Sequence, residues 1–285
     1  MTKIAVITDT DSSLPPQIAA QHGIQLVPIT IEFAGETFTS GVDIDDALLF
    51  EKIDRQNKLP TTSAPSPSAF TKAYEAAFAA GADAVLCICV SSKVSSTYSS
   101  ALTACESFPG RSIAVIDSLT LSMGQGFMAL AAAEAAQQDA SLDEVEARAR
   151  ALGDCLHVFA VVPTLKYLAL SGRVGKLMAG MADTLDIKPV LTVREGSLGM
   201  LERVRTRKKA VERMLELVRQ ALAGKAIDRL AIIHVNNEAD ALSLQKQICV
   251  AHAYTGPVIV APFTPGLSVH AGSGVVGVVI QSRPR

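Results

Sequence analysis

Residues 84–90 form an uninterrupted run of seven apolar residues, and this run constrains the fold more than any other part of the chain. A short apolar run with no polar face predicts a buried strand. Such strands are typical of parallel sheets that carry helices on both faces. Further strand patterns occur at residues 4–8, 25–32, 112–116, 157–162, 187–193, 230–235, 258–261 and 275–281.

Helical patterns occupy most of the intervals, at residues 15–22, 46–56, 67–80, 97–107, 123–138, 142–152, 208–223 and 238–252. Single strands separated by amphipathic helices indicate βαβ units. We therefore predict an α/β protein with mostly parallel sheets. Two successive helices without a strand between them end near residue 153, which predicts two α/β domains. These are residues 1–154 and 155–285, with the ligand cleft between them.

The composition excludes several classes of protein. A formal net charge of −2 over 285 residues provides no field that attracts nucleic acid. No apolar run approaches the roughly 20 residues of a membrane span, and the first residues resemble a strand rather than a signal peptide. The five cysteines include no C-x-x-C pair, and the five histidines lack a metal-binding spacing. These features predict a reduced, cytoplasmic protein without a metal or cofactor.

Hydroxyl groups are concentrated after the run at 84–90: eight of the eleven side chains at residues 90–100 carry one. Ligands of open α/β sheets bind beyond the carboxyl ends of the strands. Helix capping explains one of these hydroxyls, and exposure to solvent explains several others. Ser95, Ser96 and Thr97 fall where the next helix is predicted to begin. Free N–H groups and hydroxyls at this position would suit a phosphate or a carboxylate.

Two other stretches have a similar character. Thr62 and Ser63 precede a predicted helix for which Ser66 is the expected N-cap, so capping does not explain them. At residues 265–274, three glycines surround His270, which predicts a loop that lets the backbone approach a ligand closely. His270 and Gly272 are the candidate ligand contacts in that loop.

Two enzymatic alternatives stay open. Asp9 and Asp11 follow the first strand in a D-x-D arrangement that resembles haloacid-dehalogenase-type phosphatases, which use a nucleophilic aspartate and Mg²⁺. No later paired-acid loop accompanies them, and their structural alternative is to organise the first turn. A serine hydrolase would pair Ser95 or Ser96 with His270, although the sequence contains no G-x-S-x-G motif.

Taken in order, these motifs resemble those of the DegV family of bacterial fatty-acid-binding proteins. The matching segments are residues 8–14, 62–67, 92–98, 115–118, 165–168, 171–175, 187–190, 205–209 and 270–274. The resemblance implies one long-chain fatty acid bound between two α/β domains. It implies that Thr62, Ser95 and His270 hold the carboxylate and that an apolar tunnel holds the acyl tail.

The resemblance also implies a binding protein without catalysis of its own. Some members of the family present the bound acid to a separate fatty acid kinase, for which Arg173 and Arg205 are the candidate docking residues here. Two positions depart from the family pattern: Ser96 replaces the glycine of S-G-T, and Ser171 replaces the first glycine of G-G-R. A side chain at Ser96 is expected to narrow the turn around the head group. The change at Ser171 lies in a segment that resembles a partner surface as much as a ligand site, so it is expected to affect kinase docking.

Overall fold

The computed structural model describes residues 2–173 and 187–283. These residues form thirteen strands, ten α-helices and two short 3-10 helices. The strands are β1 (Ile4–Asp9), β2 (Ile24–Val27), β3 (Thr30–Phe33), β4 (Glu36–Thr39), β5 (Thr61–Ser63), β6 (Ala84–Cys89), β7 (Ser112–Asp117), β8 (Leu156–Val161), β9 (Lys188–Arg194), β10 (Ser197–Val204), β11 (Ile227–His234), β12 (Val258–Pro262) and β13 (Val276–Ser282). The helices are α1 (Pro16–Gln21), α2 (Asp46–Gln56), α3 (Pro67–Ala79), α4 (Thr97–Cys105), α5 (Met123–Ala136), α6 (Leu142–Arg150), α7 (Lys166–Leu170), α8 (Arg207–Leu222), α9 (Glu238–Ala251) and α10 (Pro265–Ala271).

The first sheet has the order β2-β1-β6-β7, and its pairings are parallel. Every residue of β6 is buried, as its apolar run predicts. Side chains alternate along a strand, so one face of β6 packs with α5 and α6 while the other packs with α3 and α4. The predicted α/β class is confirmed. The parallel arrangement also brings the ends of β1 and β6 together at one edge of the sheet.

The second sheet has the order β10-β9-β8-β13-β11-β12. The prediction of mostly parallel sheets is wrong here, because β11 and β12 form the one parallel pair among its described strands. One reason is β10, absent from the predicted strands, which forms a hairpin with β9 through Glu195 and Gly196. The other reason is β13, which inserts between β8 and β11 and runs antiparallel to both.

A third, smaller sheet has the order β4-β3-β5 and is antiparallel. The single strand predicted at residues 25–32 is in fact two strands, β2 in the first sheet and β3 in this one. Pro28 lies at the break and has no N–H with which to continue a ladder. The next N–H, of Ile29, donates to Thr10 Oγ1 at 3.0 Å. β5 was not among the predicted strands, and its pairing with β3 fixes the position of Thr62.

Helix α5 connects the two larger sheets. Its first eleven residues, 123–133, are all buried, and the helix contacts β1 and β6 on one side and β8, β11 and β13 on the other. A mostly apolar helix that is buried on all sides belongs inside a core, and the sheets share one core cluster around it. The division into domains at residues 154 and 155 stays a prediction. None of the helices in the described part of the chain combines the length and apolar character that a bilayer crossing requires.

Candidate functional site

A cavity of about 640 Å³ lies between the second sheet and the segments that follow β5 and β6. This volume falls within the usual range for sites that enclose a small molecule. Both predicted halves of the chain contribute to its walls. The larger apolar side chains that line it are Ile29, Val94, Leu121, Val158, Val162, Leu168, Leu191, Val193, Leu198, Ile233, Phe263, Leu267 and Val275.

The cavity contains a hydrogen-bonded pair formed by Thr62 and His270, two residues that are 208 positions apart in the chain. Thr62 is the central residue of β5 and lies opposite Ile31 of β3. His270 projects from α10, which packs against β3 and β5. Thr62 Oγ1 and His270 Nε2 are 2.8 Å apart. The small third sheet therefore positions the Thr62 hydroxyl beside the His270 imidazole.

The His270 imidazole is held in its neutral form at pH 7. Burial lowers its pKa to about 4, and the positive charge of Arg173 contributes to the same shift. A neutral imidazole has one N–H donor and one acceptor nitrogen. With the proton on Nε2, His270 donates to Thr62 Oγ1, and the Thr62 hydroxyl keeps its own proton for an acceptor in the cavity. The pair is thus suited to an anion that accepts hydrogen bonds.

Ser95, Ser96 and Thr97 lie together at the start of α4. Ser95 Oγ and Thr97 Oγ1 are 2.8 Å apart, and Ser95 Oγ also accepts from the N–H of Thr97 at 3.3 Å. Ser95 and Ser96 line the cavity, whereas Thr97 is buried behind them. Ser96 has a φ of −83°, a value that any residue adopts. The turn therefore holds a Cβ without backbone strain, and the narrowing expected from the Ser96 side chain stays a prediction.

Two other hydroxyls near the site, those of Ser91 and Ser66, have structural roles. Ser91 is buried, and its Oγ donates to the carbonyl oxygen of Gly196 in the β9–β10 turn at 2.8 Å. Ser66 caps α3, as predicted, by accepting from the N–H of Ala69 at 3.2 Å. Ser63 is exposed and lines the cavity beside Thr62.

The segment around His270 differs from its prediction. His270 belongs to helix α10 and not to a loop, and the glycine-rich turn follows the helix. Gly272 is not among the residues that line the cavity. It has a φ of +82°, and a Cβ at this position would lie 2.5 Å from Tyr167 Cδ2. Gly272 thus ends α10 against the Tyr167 ring and positions His270 indirectly.

The two candidate docking arginines have different environments. Arg173 is half-buried and lines the cavity, and its Nη1 donates to the carbonyl oxygen of Ser171 at 2.6 Å. Arg205 is exposed and stands apart from the cavity lining. Residues 174 and 175, the last two of the motif predicted at 171–175, lie outside the described residues.

Asp9 and Asp11, the basis of the phosphatase alternative, have unequal surroundings. Asp9 is fully buried, and its carboxylate accepts from Asp11 N at 2.9 Å, Val90 N at 2.8 Å and Gln125 Nε2 at 2.9 Å. Its oxygens are therefore occupied in joining β1, β6 and α5, which is the structural role considered for it. Asp11 instead lines the cavity, a position that the sequence analysis missed.

The hydrolase alternative also meets a different geometry from the one it requires. Within the described residues, the hydrogen-bond partner of His270 Nε2 is Thr62. The Ser95 hydroxyl is paired with Thr97. Neither Ser95 nor Ser96 is hydrogen-bonded to the imidazole, so no activated serine is assembled in this arrangement.

Comparisons with known proteins give a consistent result. A family model described as an uncharacterised protein of the DegV family matches residues 3–283. A DegV domain-containing protein of Halalkalibacterium halodurans is 33% identical over 284 residues, covering 97% of this chain and 98% of that protein. One from Mycobacterium bovis is 35% identical over 281 residues, covering 98% of this chain and 97% of that protein.

Solved structures show the same similarity in three dimensions. A DegV family protein of Thermus thermophilus, described as fatty acid binding, superposes with a TM-score of 0.93 at 31% identity, covering 99% of this chain and all of that one. DegV of Bacillus subtilis, described as a fatty acid binding protein, superposes with a TM-score of 0.88 at 28% identity, covering 99% of this chain and all of that one. The similarity thus extends over nearly the whole chain, both large sheets included.

Proposed function

Because this chain belongs to the DegV family, we propose that it is a carrier that binds one long-chain fatty acid. The observation that carries the proposal is an apolar cavity that contains the polar Thr62–His270 pair. The similar proteins of T. thermophilus and B. subtilis are both described as fatty acid binding, which supports the same ligand class here.

The acyl tail provides most of the binding free energy in this proposal. Each buried CH₂ group contributes about 0.8 kcal/mol, so a sixteen-carbon tail contributes roughly 12 kcal/mol before costs. Ordering the tail and losing translational freedom offset several kcal/mol of this gain. The walls suit such a tail because the second sheet lines them with Val, Leu and Ile side chains.

The carboxylate would be held by Thr62, Ser95 and His270. With His270 Nε2 donating to Thr62 Oγ1, the imidazole orients the Thr62 hydroxyl and leaves its proton for the carboxylate. With Thr97 Oγ1 donating to Ser95 Oγ, the Ser95 proton is left for the carboxylate as well. Hydrogen bonds to an ionised group contribute about 1.5–3 kcal/mol each, so these three residues mainly fix the orientation of the ligand. Ser63 and Ser96 lie beside them in the lining. Thr97 is hydrogen-bonded to Ser95, and Gly272 ends the helix that carries His270.

Presentation of the acid to a separate fatty acid kinase is the second part of the proposal. The chain itself then acts in the cytoplasm as a binding protein, and the partner performs the catalysis. Arg205 is the better docking candidate because it is exposed and away from the ligand. Arg173 lines the cavity, so its charge acts on the bound head group as well as on any partner.

Ligand identification is the direct test of fatty acid binding. Native mass spectrometry of the purified protein is expected to show a long-chain acid, and palmitate or oleate added to delipidated protein is expected to raise its melting temperature. Ligand at 100 times its Kd stabilises a protein by about 2.7 kcal/mol. Octanoate is the matched control, because eight fewer carbons remove roughly 6 kcal/mol of burial. Protein that is always empty and is not stabilised by either long-chain acid would contradict the proposal.

The kinase partnership needs a separate readout. A fatty acid kinase with ATP should convert the bound acid into an acyl phosphate, which hydroxylamine traps as a hydroxamate. The Arg205→Glu variant should slow this transfer and leave the Kd for oleate unchanged. Equal transfer rates for the wild type and this variant would remove Arg205 from the docking surface.

A further inference from the structure

Asp11 is a buried carboxyl group in the lining of the same cavity. Its side chain follows β1, in the turn formed by residues 10–12, and the residue is 7% exposed. Asp11 Oδ1 is inaccessible to solvent and has no hydrogen-bond partner in the described part of the chain. A buried polar atom without a partner is costly, so a rotation of the carboxyl group that brings it into contact with a bound molecule in the cavity would be favoured.

The position of Asp11 relative to His270 follows from α10. A Cβ on Gly266 would lie 2.7 Å from Asp11 Oδ1, so the absence of a side chain at Gly266 leaves room for the carboxyl group. Residues four apart lie on the same face of a helix, about one turn from each other. Gly266 and His270 have this spacing. Asp11 is therefore about one helical turn from the imidazole that we place at the head group.

The protonation of Asp11 is set by its surroundings. Burial raises its pKa well above the usual range, the neighbouring Asp9 carboxylate raises it further, and Arg173 opposes the shift. The donors nearby are already used by Asp9, which accepts from Val90 and Gln125. Among the described contacts Arg173 forms no ion pair with Asp11, and its Nη1 donates to the carbonyl oxygen of Ser171. Burial raises the pKa of Asp9 only to about 6, so Asp9 is the ionised member of the pair at pH 7. Asp11 keeps a proton that has no acceptor among the described residues.

We propose that Asp11 is a further head-group residue, whose carboxylic acid donates a hydrogen bond to the carboxylate of the bound fatty acid. The inference rests on the proposed function, because it assigns a fourth contact in that same site. An O–H donor to an ionised acceptor forms a hydrogen bond that is short and roughly twice as strong as a neutral one. Asp11 would therefore favour an ionised acid over a neutral alcohol with the same tail. An ionised Asp11 would have the opposite effect and repel the acid.

Two Asp11 variants and one control test this role. The Kd values of oleate and oleyl alcohol are measured at pH 7 for wild type, Asp11→Ala, Asp11→Asn and Asp46→Asn. Asparagine keeps an N–H donor in the same place, whereas alanine removes it. Asp46 is the matched control because it is also a buried carboxyl beside α10, near Ser268, but does not line the cavity.

The expected pattern is specific to the head group. Asp11→Ala should weaken oleate binding by about tenfold and oleyl alcohol binding by much less, because the stronger hydrogen bond is the one to the ionised acceptor. Asp11→Asn should stay within about fivefold of wild type for oleate. Asp46→Asn should leave the preference for oleate unchanged.

Other outcomes would overturn the assignment. An equal loss for both ligands in Asp11→Ala would reduce Asp11 to a structural role, and unchanged oleate binding would remove it from the site. If the alanine variant does not fold, the asparagine variant decides: a change of more than about fivefold in either direction contradicts a neutral donor. Wild-type protein that binds no oleate refutes the proposed function itself, which distinguishes the two failures.

Discussion

Replacing Thr62 by valine tests the polar end of the cavity most directly. Valine has nearly the same shape as threonine and keeps the β-branched side chain that suits strand β5. The change removes one hydroxyl group, whose Oγ1 lies 2.8 Å from His270 Nε2. In the proposed complex that hydroxyl donates to the ligand carboxylate.

The expected loss of affinity follows from that single contact. A hydrogen bond to a charged group contributes about 1.5–3 kcal/mol, which corresponds to a roughly 10- to 150-fold increase in Kd. The variant also leaves His270 without its partner in the free protein, which should lower the free energy of unfolding by about 1–3 kcal/mol. The two effects are separable, because the loss of stability is measured without ligand.

The assay is displacement of a fluorescent fatty acid by oleate, together with chemical denaturation of the empty protein. Thr61→Val is the matched control. Thr61 is the adjacent residue on β5, is exposed, and lies outside the cavity lining. A surface change of this kind is expected to alter stability by about 0.5 kcal/mol or less, so its oleate Kd should stay close to that of wild type.

Two results would refute the reasoning. An oleate Kd within about twofold of wild type in Thr62→Val would mean that this hydroxyl contributes nothing to the head-group site. An equal loss in Thr61→Val would mean that any change in β5 disturbs the cavity and that the effect is not specific to the hydroxyl facing His270.

Three further predictions concern the supports of the site. Ser96→Gly should lower stability by at most about 1 kcal/mol, because Ser96 has an unstrained φ of −83° that does not require glycine. The oleate Kd of the variant should change by less than about threefold. A tenfold tighter Kd would show that the Ser96 side chain obstructs the head group. Gly272→Ala should lower the free energy of unfolding, measured in denaturant titrations, by about 3 kcal/mol. The φ of Gly272 is +82°, and an added Cβ would lie 2.5 Å from Tyr167 Cδ2. Unchanged stability would mean that the Tyr167 ring moves aside freely. Burial raises the pKa of Asp46 to about 7, while an unfolded carboxyl ionises near 4. The neutral Asp46 carboxyl therefore contributes stability that is fully present below about pH 4 and is lost as pH rises through about 7, by at most about 4 kcal/mol. Urea titrations of Asp46→Asn should lack that part of the pH dependence, and an identical pH profile would contradict it.

The elements that could be predicted are those whose own residues determine them. β6 is an uninterrupted apolar run and is buried on both faces. Ser66 predicts the start of α3, and its side chain caps that helix. The hydroxyls after β6 also indicated the site, because parallel strands place their carboxyl ends at one edge and the next helix must begin there.

The elements that were missed depend on partners distant in the chain. β5 has three residues and no apolar pattern, so it exists as a strand because β3 lies beside it. The direction of β13 is decided by where it inserts between β8 and β11. Strand and helix alternation alone suggests parallel crossovers and does not contain this information.

The residues of the D-x-D motif show how distant partners decide the role of a side chain. Asp9 and Asp11 have the same chemistry and are two residues apart. Gln125 of α5 and the N–H of Val90 occupy the carboxylate of Asp9 and make it structural. Within the described residues Asp11 lacks such donors. Its Oδ1 occupies room that exists because residue 266, 255 positions later in the chain, is a glycine. A motif defined by spacing cannot separate these two environments, since the difference comes from α5 and α10. We therefore expect that filling the space with Gly266→Ala would displace the Asp11 carboxyl group, and that it would weaken oleate binding without altering the contacts of Asp9.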